Sequence, residues 1–277
     1  MPDATEMPLI LDSVTVFPPQ AHGRAALAAS HGGVYAAYCA AQAGIKGVIL
    51  CDAGVGRERA GIGGLPYLEL LGVAAAAIGH RSARIGDGED CRARGVISFA
   101  NAQAAAAGVA PGMTASEALE RLERADAPPA PAPPAMHETR HEISATRGVR
   151  VFTLDSNALV TPDDAGHIML TGSHGGLLGG RAATAVKYDV LAAIYNDAGL
   201  GIDDAGISRL PALDARGIAG ACVSAWSARI GDGQSTLRDG FISAINQTAA
   251  RHGGEIGIPA TELVARLVAA RVKVLKT

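Results

Sequence analysis

Short, largely apolar runs recur along this chain, closed by turns rich in Gly, Ser, His, Asp or Pro. In the first half they cover residues 9–17, 25–29, 47–51 and 73–78; in the second, 149–154, 167–171, 190–195 and 218–223. Runs that are apolar on both faces predict buried strands of a largely parallel sheet. Helical stretches lie between them. Residues 34–43 end at Gly44, and residues 65–71 carry Pro66 in their first turn, where proline is tolerated. An alanine-rich run predicts one long helix over 89–107, and Thr114-Ala115-Ser116-Glu117 caps a shorter one to Arg124. In the second half the same reading places helices over 182–187, 237–250 and 263–272. Strands alternating with helices predict an α/β fold, each sheet mostly parallel and flanked by helices.

The pattern is written twice. Ser30-His31-Gly32-Gly33 returns as Ser173-His174-Gly175-Gly176, an offset of 173 − 30 = 143, and Leu11-Asp12-Ser13 returns as Leu154-Asp155-Ser156 at the same offset. Asp52-Ala53-Gly54 returns as Asp197-Ala198-Gly199, and the heptapeptide Ser82-Ala83-Arg84-Ile85-Gly86-Asp87-Gly88 returns letter for letter from Ser227 to Gly233, both offset by 145 (197 − 52 and 227 − 82). The expectation is two tandem copies of one domain, residues 1–126 and 149–277, packed as a pseudo-twofold dimer. The Pro/Ala-rich stretch around 127–134 marks a linker over 127–148, stiff and extended.

Composition narrows the function classes. With 277 residues, 48% hydrophobic and 18% charged, the chain has enough apolar content for two cores and is not disordered. A formal net charge of −3 and 4% aromatic residues leave neither a basic footprint nor stacking platforms for nucleic acid. The acidic start is unlike a secretory leader, and the most apolar windows are interrupted or too short to span a bilayer, so a cytoplasmic chain with no membrane partner is expected. Four cysteines without a CxxC pair read as reduced thiols.

The Ser-His-Gly-Gly, Asp-Ala-Gly and heptapeptide motifs each follow an expected strand. Loops at the carboxyl ends of parallel strands share one sheet edge, where ligands bind. Ser30 and His31, with Ser173 and His174, are candidate nucleophile and base, and the glycine pairs Gly32-Gly33 and Gly175-Gly176 offer backbone N–H donors to an oxyanion. The plainer reading is a tight turn with a capping serine. Asp52 and Asp197 are candidate bases or histidine-orienting carboxylates, or else simple Asx turns. In the heptapeptide, Arg84 and Arg229 offer planar forks for a carboxylate or phosphate, flanked by Ser82, Asp87, Ser227 and Asp232, unless an internal Arg–Asp bridge only shapes the loop. Cys51, at a strand end, is a possible thiol nucleophile but reads more simply as a core residue.

Around the heptapeptide the halves diverge. Gly79-His80-Arg81 stands against Ser224-Ala225-Trp226, so a difference in activity between the halves is expected there, and His80 could reach the site in the first half only. No HExxH, GxGxxG or P-loop pattern is present, so neither metal nor cofactor is expected. The function these residues suggest is an enzyme on a small anionic, amide- or carbonyl-containing metabolite, a hydrolase first of all. The other reading is a non-catalytic small-anion-binding or assembly protein built on the same loops. The partner is then a small molecule, and whether the chain forms a homo-oligomer is left open.

Overall fold

A computed structural model of the chain describes residues 8–146 and 148–274. It is an α/β protein with two mostly parallel sheets, one of five strands and one of six. Two compact units are distinguished. One comprises Met1–Gly54, Ala60–Met136 and Gly201–Asp203; the other comprises Val55–Arg59, His137–Leu200 and Asp204–Thr277.

In the first unit the chain runs β1 (Leu9–Leu11), β2 (Ala25–His31), α1 (Val34–Gln42), β3 (Gly47–Cys51), α2 (Gly64–Leu70), β4 (Ala74–Ile78), α3 (Gly88–Arg94), β5 (Ile97–Ala100), α4 (Ala102–Ala106) and α5 (Ala115–Arg124). Strands β1 to β4 are parallel neighbours in chain order, and β5 closes the edge antiparallel to β4. Every residue of β3 and β4 is buried, as solid apolar runs require when helices cover both faces.

The second unit runs β6 (Arg140–Thr146), β7 (Val149–Leu154), β8 (Ile168–His174), β9 (Ala192–Asn196), α6 (Arg209–Asp214), β10 (Ala219–Val223), α7 (Gly233–Arg238), β11 (Ile242–Ile245), α8 (Gln247–Arg251) and α9 (Ala260–Val274). Strands β7 to β10 are parallel in chain order, with β6 and β11 antiparallel on the two edges. Two apolar layers sandwich this sheet. Val151, Ile168, Leu170 and Ile194 pack with Leu263 and Leu267 of α9 on one face. Phe152, Met169 and Tyr195 pack with Leu210 and Leu213 of α6 on the other. Among the described residues no helix is long and apolar enough to cross a membrane.

Three expectations are corrected. The single helix over 89–107 is instead α3, β5 and α4. Gly95 breaks it: a Cβ there would stand 2.2 Å from the Cys91 carbonyl oxygen and 3.0 Å from the Ala115 side chain. The run over 237–250 likewise splits into the end of α7, β11 and α8. Alanine-rich composition mimicked helix propensity where sheet pairing prevails. Second, the helix expected over 182–187 is only a 3-10 turn, Ala182–Thr184, preceded by Gly179 and Gly180 at positive φ. Third, the strand expected over 9–17 stops at Leu11. Residues 140–146, within the stretch read as linker, form β6 and pair with β7, while the proline-rich part at 127–134 is neither helix nor strand.

Between β8 and β9 the second unit has 3-10 turns where α1 stands between β2 and β3 of the first. In the first unit α1 crosses α2 so closely that a Cβ on Gly64 would stand 2.6 Å from both the Ala37 side chain and the Gly33 carbonyl oxygen. The corresponding position, 64 + 145 = 209, holds a buried arginine. Arg209 donates to the carbonyls of Gly176 (2.9 Å), Thr184 (2.8 Å) and Ala185 (2.5 Å), and lies over the Tyr195 ring. A buried guanidinium with three carbonyl partners satisfies the irregular backbone between β8 and β9.

Candidate active site

The repeated turns gather at the carboxyl-terminal edge of their sheet in each unit. Gly32 N donates to the Cys51 carbonyl across β2 and β3 (2.7 Å), Asp52 N to the Ile78 carbonyl (2.8 Å), and Gly86 N to the Ala29 carbonyl (2.8 Å). In the second unit Gly175 N reaches the Asn196 carbonyl, Asp197 N the Val223 carbonyl and Gly231 N the Gly172 carbonyl.

Within these turns most of the candidate groups bind the protein itself. Ser30 Oγ accepts from Val14 N (3.1 Å) and Ser173 Oγ from Asn157 N (2.9 Å), so each serine clasps the segment that follows the first parallel strand. His31 Nδ1 accepts from Gly33 N and His174 Nδ1 from Gly176 N, each at 3.1 Å. Those bonds place the ring protons on Nε2, and burial pushes the His31 pKa down to about 4. The glycine N–H groups expected to face an oxyanion are thus engaged with Cys51, Asn196 and the two histidines. Glycine is required by close approach: a Cβ on Gly32 would meet the Gly61 carbonyl oxygen at 2.8 Å, and one on Gly175 the Gly206 carbonyl oxygen at 2.5 Å.

The heptapeptide is bonded throughout. Ser82 Oγ donates to the Gly79 carbonyl and accepts from Val96 N; Ser227 Oγ does the same with Ser224 and Phe241. Asp87 caps α3 by accepting from Asp90 N, and Asp232 caps α7 by accepting from Ser235 N. Gly88 N donates to Asp12 Oδ1 and Gly233 N to Asp155 Oδ1, which accounts for the repeated Leu-Asp-Ser segment. The guanidinium groups meet carboxylates: Arg84 with Asp203 (2.9 Å) and Asp90 in the first unit, Arg229 with Asp232 (2.8 Å) and Glu58 (3.0 Å) in the second. Both arginines are partly exposed, so these pairs are solvent-screened and weak.

The loop after each aspartate is backbone-strained in the same way. Ala53, Val55, Glu58 and Arg59 have positive φ, as do Ala198, Leu200, Asp203 and Asp204, with Gly54, Gly56, Gly199 and Gly201 between them. The left-handed region costs an L-residue about 1–2 kcal/mol, most for a β-branched one such as Val55. The aspartate starts the turn: Oδ1 accepts from Gly54 N (3.1 Å) in the first loop and from Gly199 N (2.9 Å) in the second. The same oxygen accepts from His80 N (2.9 Å) and Ala225 N (2.8 Å), respectively. Stapling the loop is therefore common to Asp52 and Asp197.

What differs is the side chain at position 80. His80 Nδ1 lies 2.9 Å from Asp52 Oδ1, and Ser98 Oγ donates to Asp52 Oδ2 at 3.0 Å. Burial raises the Asp52 pKa, but the His80 ring bond, the His80 charge and the N–H groups of His80 and Gly54 outweigh it, and the carboxyl is held below its usual value. An ionised Asp52 keeps the His80 proton on Nδ1 and leaves Nε2 as the basic nitrogen of a partly exposed ring. In the second unit alanine occupies this place, and Ser243 donates to the Cys222 carbonyl rather than to the aspartate. Nothing in the sequence marks Ser98, because the alanine-rich pattern around β5 reads as helix.

Cys51 is not poised as a nucleophile. Its sulfur is buried against Cys91, and that bond and burial push its pKa well up. Among the described residues no three or more His, Cys, Asp or Glu side chains are gathered as a metal ion would need. One cavity of about 610 Å³ opens at the opposite sheet edge beside Lys46, Gln103, Arg121 and Arg124. Its cations already hold the Glu123 and Gly108 carbonyls and Glu120. Comparison with models of known protein families, with curated proteins and with solved structures finds no match in any of the three.

Proposed function

We propose that this chain is a hydrolase of a C–N or carbonyl bond in a small anionic, amide- or carbonyl-containing metabolite, with its chemistry in the first unit. The observation that carries this reading is the Asp52–His80 pair at 2.9 Å, present where the second unit has Asp197 and Ala225. His80 Nε2 takes a proton from water, and Asp52 orients the ring and stabilises the imidazolium. The amino end of α1 opens at the same sheet edge, where its dipole favours developing negative charge. In this reading Ser30, His31, Ser173 and His174 shape the turns around the site.

The test is a panel of small amides, cyclic amides and esters bearing a carboxylate, assayed with the full chain, His80→Ala and Asp52→Asn. General-base loss lowers kcat by about 10²–10⁴-fold. Turnover that His80→Ala leaves at its original rate would refute the assignment.

A second reading is a non-catalytic assembly or anion-binding role. It is favoured by the partial exposure of the Arg84 and Arg229 forks, whose weak carboxylate pairs a competing anion can displace. Stabilisation by carboxylates or phosphates in a thermal-shift screen, without turnover of the panel, would support it. In either reading we take residues 1–126 and 149–277 as copies of one domain. The like order and direction of β1–β5 and β7–β11 support this, as do the matched turns.

A further inference from the structure

Two buried thiols of the first unit lie against each other. Cys51 closes β3 directly before Asp52, and Cys91 sits in α3, three residues after the heptapeptide ends at Gly88. Their sulfurs are 3.7 Å apart, and the Cys91 thiol also donates to the Arg84 carbonyl at 3.3 Å. The corresponding positions of the second half (51 + 145 and 91 + 145) hold Asn196 and Thr236, which donate to the carbonyls of Ala228 and Thr171. The sulfur pair, like His80, belongs to the first half alone. A disulfide bond is about 2 Å long, so the sulfurs need to close by less than 2 Å from 3.7 Å.

We propose that Cys51 and Cys91 form a reversible disulfide when the chain meets hydrogen peroxide. One sulfur attacks a peroxide oxygen; the O–O bond breaks, leaving a sulfenic acid and one water. The second sulfur attacks the sulfenic sulfur; the S–O bond breaks and a second water leaves. Two thiols and one peroxide thus become one disulfide and two waters, the peroxide taking both electrons. A dithiol reverses the step by exchange. Burial of both sulfurs sets the rate, because peroxide reaches them when α3 loosens from the sheet. Once formed, the bond ties the residue before Asp52 to α3 across 91 − 51 = 40 residues. It restrains the strand end that carries the Asp52 turn. The proposal does not depend on the hydrolase reading.

The full chain is exposed to hydrogen peroxide, quenched in acid, unfolded, blocked with N-ethylmaleimide and mapped by peptide mass spectrometry. The expected product joins the Cys51 and Cys91 peptides, two hydrogens lighter than their sum. Cys39 and Cys222 carry the blocking group, and dithiothreitol restores all four blockable thiols. Cys91→Ser abolishes the joined peptide. Should that variant not fold, the unsubstituted chain is mapped in urea below its unfolding transition, where the joined peptide forms faster as α3 loosens. Four blocked thiols after full oxidation of a peptide dithiol in the same tube would overturn the proposal. So would separate sulfinic acids at Cys51 and Cys91, or a bond from either to Cys39 or Cys222.

Discussion

Asn101 and Asn246, 246 − 101 = 145 residues apart, make the same four side-chain hydrogen bonds in the two sheets. Asn101 accepts from Ala75 N and Ala104 N and donates to the Val73 and Leu65 carbonyls. Asn246 accepts from Gly220 N and Ala249 N and donates to the Ile218 and Leu210 carbonyls. Each side chain at once caps a short helix and joins it to the neighbouring strand and the preceding helix. Both are buried, so their partners have no water to turn to. Asn101→Ala should destabilise the chain by about 2–4 kcal/mol, the sum of a lost cap and newly unsatisfied backbone groups. Urea unfolding of the variant against the original chain measures this.

The His80 ring also fixes how the chain responds to acid. Asp52 is held below its usual carboxylate range in the folded state, so the stability it contributes is present above the unfolded value near 3.9. It is lost as pH falls through the lower folded value. His80→Ala removes the largest of the opposing effects and lets burial push Asp52 up. Acid unfolding followed by circular dichroism should then begin at higher pH in His80→Ala than in the original chain.

His31 titrates in the opposite sense from a salt-bridged histidine. Its folded pKa of about 4 lies below the unfolded 6.5, so the unfolded chain binds the extra proton between these values. Stability from this group is full above pH 6.5 and is lost as pH falls towards 4, with a limiting slope of about 1.4 kcal/mol per pH unit. His31→Asn, which keeps an acceptor for Gly33 N, should abolish that slope. Urea unfolding of both proteins at intervals from pH 4 to pH 7 checks it, and the ¹⁵N shifts of the His31 ring should report a neutral imidazole down to about pH 4.

Val55 carries the largest local backbone strain to be expected from side-chain type, a β-branched residue at φ 61°. Val55→Gly should raise stability by about 0.5–1 kcal/mol, the relief of a left-handed conformation less glycine's greater entropy in the unfolded chain. Chemical unfolding gives the sign, and a loss of stability would mean that Val55 packing outweighs its backbone strain.

The class of fold and the edge on which the repeated turns lie were legible in the amino-acid pattern, since doubly buried parallel strands must be solid apolar runs and their carboxyl ends must share one rim. Strands β3, β4, β7 and β10 stand where those runs predict them, to within a residue. The bounds of β5 and β11 were hidden, because a short strand that pairs with a distant neighbour has no local period to betray it. Which repeated residues are free for chemistry was also hidden. Ser30, Arg84 and Asp87 look reactive as letters, and only their tertiary partners, Val14 N, Asp203 and Asp90 N, show them engaged. Likewise Gly64 and Arg209 are unrelated as residue types. Packing explains each: glycine where α1 presses against the chain, and a carbonyl-bound arginine beside the irregular segment between β8 and β9. Periodicity is a property of neighbours along the chain and can be read there. Partnership across a sheet depends on long-range closure, and it alone sets Asp52 beside His80 and leaves Asp197 beside alanine.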